Sequence, residues 1–449
     1  MNETGNIERE KYPEPESFGA EAYLSADYAC AEREKLWPKV WQHVCRLEEI
    51  PDVGDFVTYD IANDTILVVR AAADRVSAFY NVCAHRGRRL ADGCGSVREF
   101  RCSYHGWTYD LSGECTRVLD PKDWGERLKA ERLKLPDVRV DTWGGWVWVN
   151  MDPDCAPLSD YLAPAAGLLD PFELEKMRYR WRLWCNFDCN WKVALEAFIE
   201  AYHVEGTHPQ LMNVGDFKMW SRAYGLHGLN GFDERNPDKQ SSDSNTINRA
   251  GKGDDARLSI AALQLETWET VNARTTRTLV DAALRLKDEL PEGTPTPQVL
   301  DHWLRSARAD DAKRGVIWPT IEPAHLARAG SSWHIFPNMT IAHSITNALV
   351  YRVRPHRSEP EKCVFEAAVI ERYPPGAEPE TVWEYAEPDN VEKWRPVLLQ
   401  DFRNMVQVQR GMRSRGFRGS IPSPHQEQTV ANLHRNLARY VGRGTPLPL

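Results

Sequence analysis

Two short segments of this 449-residue chain each carry one cysteine and one histidine, and they constrain its fold more than any other feature. The first, NVCAHRGRRL, supplies Cys83 and His85. The second, RCSYHGW, begins sixteen residues after His85 and supplies Cys102 and His105. Cysteine and histidine in this pattern are metal ligands. The fold must therefore bring two loops together around one metal centre.

Zinc is the first alternative for this centre, because a tetrahedral zinc site uses the same residue types. Zinc fingers, however, pair Cys with Cys on one segment and His with His on the other. Here each segment holds one of each, which suits a two-iron cluster with both thiolates on one iron and both imidazoles on the other. Neutral imidazoles raise the potential of such a Rieske centre to about −150 to +300 mV, so it accepts one electron easily.

A second candidate metal site lies in NWKVALEAFIEAYHVEGTHPQL, where His203 and His208 are five residues apart. A helix is predicted from about Trp191 to His203. Five residues on a continuous helix would turn the imidazoles about 140° apart, so they can share an ion only if the helix loosens, which Gly206 and Pro209 favour. Two histidines and a carboxylate form the ligand set of non-haem Fe(II) oxygenases. Taken alone, two unrelated histidines are the simpler interpretation.

Both motifs together resemble the Rieske non-haem iron ring-hydroxylating oxygenases, in their alpha (large, catalytic) subunits. The two Cys/His segments, each with a glycine after its histidine, look like the Rieske domain, and NWK…E…E-x-Y-H-x-x-x-x-H is similar to the mononuclear-iron motif. The resemblance implies one 2Fe-2S cluster and one mononuclear Fe(II) per subunit. The cluster ligands would be Cys83, His85, Cys102 and His105, and the iron ligands His203, His208 and Asp401.

The resemblance also implies roles for two carboxylates. Asp401, in LLQDFRNMVQVQRG, matches the family's third iron ligand, although spacing alone cannot choose it over Asp389. Glu200, one helical turn before His203, matches a catalytic carboxylate that links an iron ligand to a Rieske histidine of the neighbouring subunit. Family members commonly have Asp there, so the extra methylene changes the geometry of the link. A link between His105 and the next subunit's Glu200 implies a head-to-tail homotrimer.

The resemblance implies an α+β fold with two domains: an N-terminal antiparallel β Rieske domain, and a catalytic domain whose antiparallel sheet wraps around helices, of the helix-grip (Bet v1/START-like) type. We expect a helical segment over 1–40, the Rieske domain over 41–155 and the catalytic domain over 156–449. A variable loop and helical insertion is expected at 230–310, beginning with a mobile loop from Gly231 to Ala256. The last long helix is predicted in DNVEKWRPVLLQDFRNMVQVQRGMRSRG, with Asp389 as its N-cap.

Composition narrows the partners and the location. A net charge of −9 argues against nucleic-acid or anionic-membrane binding, because both need a basic face. No segment approaches about 18 uncharged apolar residues and the first residues lack a signal-peptide pattern, so we expect a cytoplasmic protein. The cysteines outside the two segments are expected to be buried thiols. Arg86, Arg88 and Arg89 form a local basic patch that either docks an acidic ferredoxin or reductase or makes salt bridges.

The implied function is that of a terminal oxygenase component. Electrons from NAD(P)H would arrive through a ferredoxin, a flavin reductase or both, and O2 would oxidise an organic substrate. Aromatic-rich segments such as FKMWSRAY and SSWHIFPNM are consistent with an apolar cleft, which favours cis-dihydroxylation of an aromatic ring, as in aromatic hydrocarbon catabolism. A Rieske monooxygenase or O/N-demethylase is the alternative, and a redox or metal-sensing protein without turnover a remote third. The sequence does not decide whether a small beta subunit joins the assembly.

Overall fold

A computed structural model describes residues 13–125, 127–211, 219–232, 255–357 and 359–449. Most of the loop predicted to be mobile, 231–256, lies outside the described residues. The first described elements are β1 (Glu16–Ser17), α1 (Glu21–Leu24) and α2 (Ala26–Ala31), followed by a π-helical turn that ends at Leu36.

The next part of the chain is an antiparallel β region. Its elements are β2 (Gln42–Arg46), β3 (Asp55–Ile61), β4 (Asp64–Ala72), β5 (Arg75–Tyr80), β6 (Cys94–Ser96), β7 (Phe100–Arg101), β8 (Thr108–Tyr109), β9 (Cys115–Arg117), α3 (Ala130–Leu133), β10 (Asp137–Trp143) and β11 (Trp146–Asn150). Seven strands form one sheet in the order β2-β11-β10-β5-β4-β3-β6, and β7-β8-β9 form a second sheet. The first Cys/His segment connects β5 to β6, and the second connects β7 to β8.

Strand β4 is buried on both faces, which explains its unbroken apolar run ILVV. Successive side chains of a strand point to opposite faces of the sheet. Leu67 and Val69 pack with the two cysteine segments, whereas Ile66 and Val68 join a core shared with the second half of the chain. The seven-stranded sheet is thus a layer between the metal-binding loops and the rest of the protein.

The second half mixes helices with a larger sheet. Its elements are α4 (Leu158–Leu162), α5 (Ala165–Leu169), β12 (Arg178–Phe187), α6 (Trp191–Glu196), α7 (Val204–Thr207), β13 (Met219–Tyr224), β14 (His227–Phe232), α8 (Ala256–Thr270), α9 (Arg277–Glu289), α10 (Thr296–Lys313), α11 (Pro323–Ala329), β15 (Ser332–Ile335), β16 (Met339–His343), β17 (Asn347–His356), β18 (Glu359–Glu371), β19 (Glu384–Tyr385), α12 (Val391–Met412), α13 (Gln428–Val441) and β20 (Leu447–Pro448). The sheet order is β13-β14-β15-β16-β17-β18-β12-β19, antiparallel except for β12 with β19. β20 pairs with β1.

Strand β17 shows how this sheet is covered. Leu349, Tyr351 and Val353 point into a core that contains side chains of α6, α12 and α13. Ala348 and Val350 point to the opposite face, which α4 and α5 cover. An antiparallel sheet packed around helices confirms the predicted α+β fold class. In the described part of the chain, no helix combines the length and the apolar character needed to cross a membrane.

Two helix boundaries differ from the predictions. The helix predicted to run to His203 ends at Glu196, because the Ile199 carbonyl accepts hydrogen bonds from the Asn230 side chain at 2.9 Å and from the Thr429 hydroxyl instead of from a helical N–H. The predicted cap Asp389 is also wrong: the neighbouring Asn390 caps α12 by accepting the Lys393 N–H at 3.0 Å.

Helix α13 was not among the predicted elements. Its apolar residues Val430, Leu433, Leu437 and Val441 have helical spacing, so the signal for it is present in the sequence.

Candidate functional site

The two cysteine loops have the same backbone hydrogen bonds. In each, the cysteine N–H donates to the carbonyl five residues later at 2.8 Å, and a glycine N–H donates back to the cysteine carbonyl at 2.9 Å. The glycines, Gly87 and Gly106, have φ of +74° and +70°, a left-handed conformation that glycine adopts without steric cost. Both loops therefore hold one thiol and one imidazole on the same hydrogen-bonded backbone conformation, although Cys83 and His85 are one residue closer in sequence than Cys102 and His105.

The loops place like ligands together. Cys83 and Cys102 are buried side by side: burial raises the pKa of the Cys83 thiol, a hydrogen bond with Tyr109 lowers it, and the Cys102 thiol raises it again. The rings of His85 and His105 lie 4.5 Å apart between centroids. Their Nδ1 atoms are buried, and neither has a hydrogen-bond partner among the described residues. Buried polar atoms are almost always paired, so this arrangement of two thiols and two open imidazole nitrogens fits a 2Fe-2S cluster.

Aromatic side chains support the first loop. Trp107 stacks on the His85 ring at 4.7 Å between centroids. The Tyr109 hydroxyl accepts the Ala84 N–H at 3.0 Å and lies 3.3 Å from Cys83 Sγ. Since the hydroxyl oxygen already accepts from Ala84, its own proton is available to the sulfur. Tyr109 is a functional residue that the sequence analysis missed.

The basic patch beside this loop is exposed but partly paired. Arg89 contacts Asp60 at 3.2 Å, and the Arg86 guanidinium lies 5.4 Å from the Tyr104 ring centroid. Arg88 donates to the Arg89 carbonyl at 3.0 Å. The salt-bridge alternative thus describes Arg89, while docking by Arg86 and Arg88 stays a prediction.

The second site brings together the three predicted iron ligands. Asp401 Oδ1 lies 2.9 Å from His208 Nε2 and 3.5 Å from His203 Nε2. Within the described residues, these three side chains are a group of potential ligands whose atoms all lie within 4.8 Å of one another. The competing carboxylate, Asp389, is exposed at the start of α12. Two imidazoles and one carboxylate match the donor set that Fe(II) oxygenases use.

Glu200 orients His203. Its Oε1 lies 2.5 Å from His203 Nδ1, and its Oε2 accepts the His203 N–H at 3.1 Å and the Tyr202 N–H. Burial lowers the pKa of His203, but the carboxylates of Glu200 and Asp401 outweigh that effect and raise it to about 9. Because a carboxylate can only accept, Nδ1 carries a proton and Nε2 points to Asp401, as a metal ligand requires.

Gln400 orients the other histidine in the same way. Its side-chain oxygen lies 2.8 Å from His208 Nδ1 and also accepts from the Gln210 amide at 2.8 Å. An oxygen that accepts twice fixes the amide orientation, so His208 Nε2 is the nitrogen left for a metal. The sequence analysis missed Gln400, although its position directly before Asp401 was a usable signal.

An aromatic cluster packs in the core that borders α12, the helix of Asp401, but it is not formed by the segments that the sequence favoured. Phe198 and Tyr351 have ring centroids 4.2 Å apart, and Phe365 and Phe402 have centroids 5.3 Å apart. The segment SSWHIFPNM instead packs Trp333 into the core on the opposite face of the sheet. This aromatic wall therefore comes from β17, β18, α12 and the segment that follows α6.

Comparisons with known proteins agree with both sites. The profile of the ring hydroxylating alpha subunit (catalytic domain) matches residues 172–443, and that of the Rieske 2Fe-2S domain matches residues 40–129. The first range contains the three predicted iron ligands and the second contains the four predicted cluster ligands. The cofactor set predicted from the sequence, one 2Fe-2S cluster and one mononuclear iron, is that of this family.

Individual relatives differ in what they oxidise. The chain is 31% identical over 180 residues to the glycine betaine monooxygenase oxygenase subunit of Pseudomonas aeruginosa, covering 40% of this chain and 42% of that protein. It is 34% identical over 194 residues to the large oxygenase component of the naphthalene 1,2-dioxygenase system of Pseudomonas putida, covering 41% and 43%. The matches thus span about two fifths of these curated relatives.

A solved structure of the quaternary ammonium Rieske monooxygenase CntA with L-carnitine has a similar fold. The TM-score is 0.64 at 19% identity, over 95% of both chains. Because the catalytic-domain profile covers more than half of the chain and the Rieske profile covers the cluster loops, the protein belongs to the family of Rieske ring-hydroxylating oxygenase alpha subunits.

Proposed function

We propose that the chain is a terminal oxygenase that uses O2 and electrons from NAD(P)H, delivered by a ferredoxin, a flavin reductase or both, to oxidise a small organic substrate. The observation that carries this proposal is the convergence of His203, His208 and Asp401 in a chain that also pairs two thiols with two imidazoles. When bound, the cluster would supply single electrons and the mononuclear iron would supply dioxygen chemistry. We also propose that the protein acts in the cytoplasm.

The chain's own residues would prepare the site. Glu200 and Gln400 hold the Nδ1 protons of the two histidines, so Nε2 is the nitrogen of each ring that a metal would bind, with loss of any proton it carries. Asp401 supplies the anionic ligand from the buried side of α12. Phe198, Tyr351 and their aromatic neighbours would hold the apolar part of a substrate and limit water near the iron.

We further propose a head-to-tail homotrimer in which Glu200 of one subunit faces His105 of the next. Large exposed aromatic residues support this assembly: Tyr202, beside Glu200, is 58% exposed, and Tyr104, beside His105, is 54% exposed. Aromatic residues are enriched at protein interfaces, so the two surfaces suit each other. Size-exclusion chromatography with light scattering tests the trimer, and a small beta subunit would appear there as additional mass.

For the reaction type, the aromatic wall supports cis-dihydroxylation of an aromatic ring as the first candidate. The second candidate is monooxygenation or demethylation, as in relatives named for glycine betaine and carnitine. A ring dihydroxylase incorporates both oxygen atoms of O2 into the product, and a monooxygenase incorporates one. Incubation of the reconstituted protein with a reductase, NADH, heavy-isotope dioxygen and a panel of aromatic compounds and quaternary amines separates the two by product mass.

The control is Asp401→Asn. It should retain acid-labile sulfide and the EPR signal of the reduced cluster, but lose mononuclear iron and product. Oxygen consumption that never couples to any compound of the panel, in fully metallated wild-type protein, would contradict the proposed function and favour a sensor without turnover.

A further inference from the structure

The N-terminal segment, residues 16–36, packs along α6, the helix that leads to the iron ligands. Tyr23 lies in α1, and Glu32 begins the π-helical turn that follows α2. These two residues bind all four side chains that can form hydrogen bonds in NWKVALE, residues 190–196. The beginning of the motif that predicts the iron site therefore binds the N-terminal segment.

Glu32 fixes the first turn of α6 through a buried ion pair. Its two oxygens accept from Lys192 Nζ at 2.6 Å and from Trp191 Nε1 at 3.2 Å. The Lys192 side chain is fully buried and that of Glu32 is almost so. The Asn190 amide, just before the helix, donates to the Tyr23 carbonyl at 3.0 Å. Breaking one side of a buried pair is costly, so these contacts hold the segment and α6 in one relative position.

Tyr23 fixes the last residue of α6. Its hydroxyl donates to the two Glu196 oxygens at 2.9 and 3.0 Å, and His434 Nε2 of α13 lies 2.7 Å from Glu196 Oε1. Because a carboxylate only accepts, both partners direct a proton at it. Phe18 stacks on the His434 ring at 3.8 Å between centroids, so the N-terminal segment holds the second partner as well. Glu196 is thus fixed from two sides where the helix ends.

The fixed end of α6 leads directly to an iron ligand. The Ile199 N–H donates to the Glu196 carbonyl at 3.2 Å, which closes the turn after the helix. The next residue, Glu200, lies 2.5 Å from His203 Nδ1 and accepts the His203 N–H at 3.1 Å. A misplacement of about 1 Å near a reacting centre can cost about 100-fold in rate, so the anchor of this turn matters for the reaction.

We propose that Tyr23 is a positioning residue of the iron site: by holding Glu196, its hydroxyl fixes the turn that presents Glu200 to His203. The inference rests on the proposed function and adds to it a residue from the opposite end of the chain. Because the effect of Tyr23 passes through Glu200, its loss should change the geometry at the metal and the rate of the reaction, and not only the stability of the fold.

Tyr23→Phe tests the inference, because it removes the hydroxyl and keeps the ring and the carbonyl that Asn190 binds. In the reconstituted protein, turnover should fall several-fold, less than the roughly 10- to 100-fold expected for a direct partner of a ligand. The EPR spectrum of the nitric oxide adduct of the mononuclear iron, which reports ligand symmetry, should change as well. Tyr28→Phe is the matched control: Tyr28 is buried in the same segment, and its hydroxyl has no hydrogen-bond partner among the described residues. It should match the wild type in both measurements.

The double variant Tyr23→Phe/Glu200→Gln separates positioning from stability. A residue that acts through Glu200 cannot add to the loss of Glu200, so the double variant should turn over as fast as Glu200→Gln alone. Glu196→Gln, which keeps one accepting oxygen for two donors, should change turnover and the EPR spectrum in the same way as Tyr23→Phe. Multiplied effects in the double variant would overturn the inference, and so would a wild-type EPR spectrum in Tyr23→Phe. The EPR comparison needs no turnover, so it decides the inference even if the proposed reaction is wrong.

Discussion

The hydroxyl of Tyr109, in β8, lies 3.3 Å from the Cys83 sulfur and so connects the first cysteine loop to the strand that follows the second. A hydrogen bond to a cluster thiolate stabilises the reduced state, which carries one more negative charge. Tyr109→Phe should therefore lower the midpoint potential of the cluster without loss of iron or sulfide. A redox titration followed by EPR measures it.

The control for that titration is Tyr59→Phe. Tyr59 lies in the seven-stranded sheet of the same region, and its hydroxyl donates to Gln42 at 3.1 Å in the core shared with the second half of the chain. The midpoint potential of the cluster in Tyr59→Phe should equal that in the wild type. Equal shifts in the two variants would mean that packing, and not the sulfur hydrogen bond, sets the potential.

Glu200 acts through His203, so its loss should reduce turnover more than metal content. Glu200→Gln keeps the size of the side chain but removes the charge that holds the His203 Nδ1 proton. Changing such an outer partner costs on the order of 10- to 100-fold in activity or metal affinity. We expect turnover to fall by that factor with most of the iron retained, as measured by metal analysis and product formation.

Two further variants bracket this prediction. Glu200→Asp restores a carboxylate and should recover part of the activity, whereas Glu205→Gln, at an exposed acid of α7, should change neither quantity. Loss of iron in parallel with activity in Glu200→Gln would assign Glu200 a purely structural role.

At the scale of single residues, the sequence predicted candidate ligands but not the side chains that support them. Cys83 belongs to a local spacing that few other functions share, whereas the spacing of His203 and His208 indicates a metal site only together with the Rieske motif. Asp401 needed the family resemblance, because its partners lie far away in sequence. Tyr109 acts through contacts that only the folded chain creates, and Gln400 could be suspected only from its position next to Asp401.

At the scale of elements, the break after α6 is the feature that sequence reasoning placed wrongly. Helix propensity favours continuing to His203, but the competing partners of the Ile199 carbonyl come from β14 and α13. Tertiary contacts of that kind override local preference. The break in turn lets His203 and His208 flank the short helix α7 and reach one carboxylate.

Strands β17 and β18 carry a buried ion pair that connects the two halves of the chain. Arg352 and Glu366 are cross-strand partners joined at 2.8 Å, and Arg352 also donates to the His43 and Val44 carbonyls of β2 at 2.8 and 2.6 Å. Removing one partner of a buried pair costs about 3 to 5 kcal/mol. Glu366→Gln should lower the free energy of unfolding by that amount in urea titrations.

An exposed pair provides the comparison. Arg305 and Asp301 lie one helical turn apart at 2.8 Å, and both are largely exposed. Asp301→Asn should change stability by about 0.5 kcal/mol or less. A similar small value for Glu366→Gln would show that the contacts with β2 do not depend on the ion pair.

At the scale of the whole molecule, buried neutral histidines should set the acid limit of stability. His227 Nε2–H donates to the Tyr161 carbonyl at 2.7 Å, while its Nδ1 accepts the Phe336 N–H at 3.1 Å. Protonation of Nδ1 would place its new N–H opposite the Phe336 N–H, so that two donors would face each other. Burial lowers the pKa of His227 to about 4, although the hydrogen bond to the Tyr161 carbonyl acts in the opposite direction. His334 and His343 are lowered to about 4 in the same way.

The direction of the pH effect follows from proton binding. A histidine of the unfolded chain binds a proton below about pH 6.5, whereas these buried histidines of the folded chain do so only near pH 4. Their contribution to the free energy of unfolding is therefore fully present above about pH 6.5 and is lost as the pH falls from about 6.5 to 4. His227→Gln keeps a donor and an acceptor but does not titrate. Its unfolding free energy should therefore depend less on pH between 7.5 and 4.5 than that of the wild type, by up to about 3 kcal/mol over this range. His356→Gln, at a partly exposed histidine, should keep the wild-type dependence on pH.

The α+β class and the order of the two metal centres along the chain were predictable, because local motifs that resemble those of a known family indicate each centre. The layering of the whole molecule was not. The sequence of β4 does not indicate that Leu67 faces the cluster loops while Ile66 faces the second half of the chain, because both residues are apolar. Only the packed structure distinguishes the two faces.

That two-faced sheet limits how freely the cluster region can be exchanged between relatives. A fragment restricted to residues 40–129 would expose the face that carries Val57, Tyr59 and Val68, which in the intact chain belongs to a shared core. A chimaera that joins this region to a relative's second half must therefore transplant the contacting surface as well. For protein engineering, the exchangeable unit is the sheet together with the helices against which it packs, and not the metal-binding loops alone.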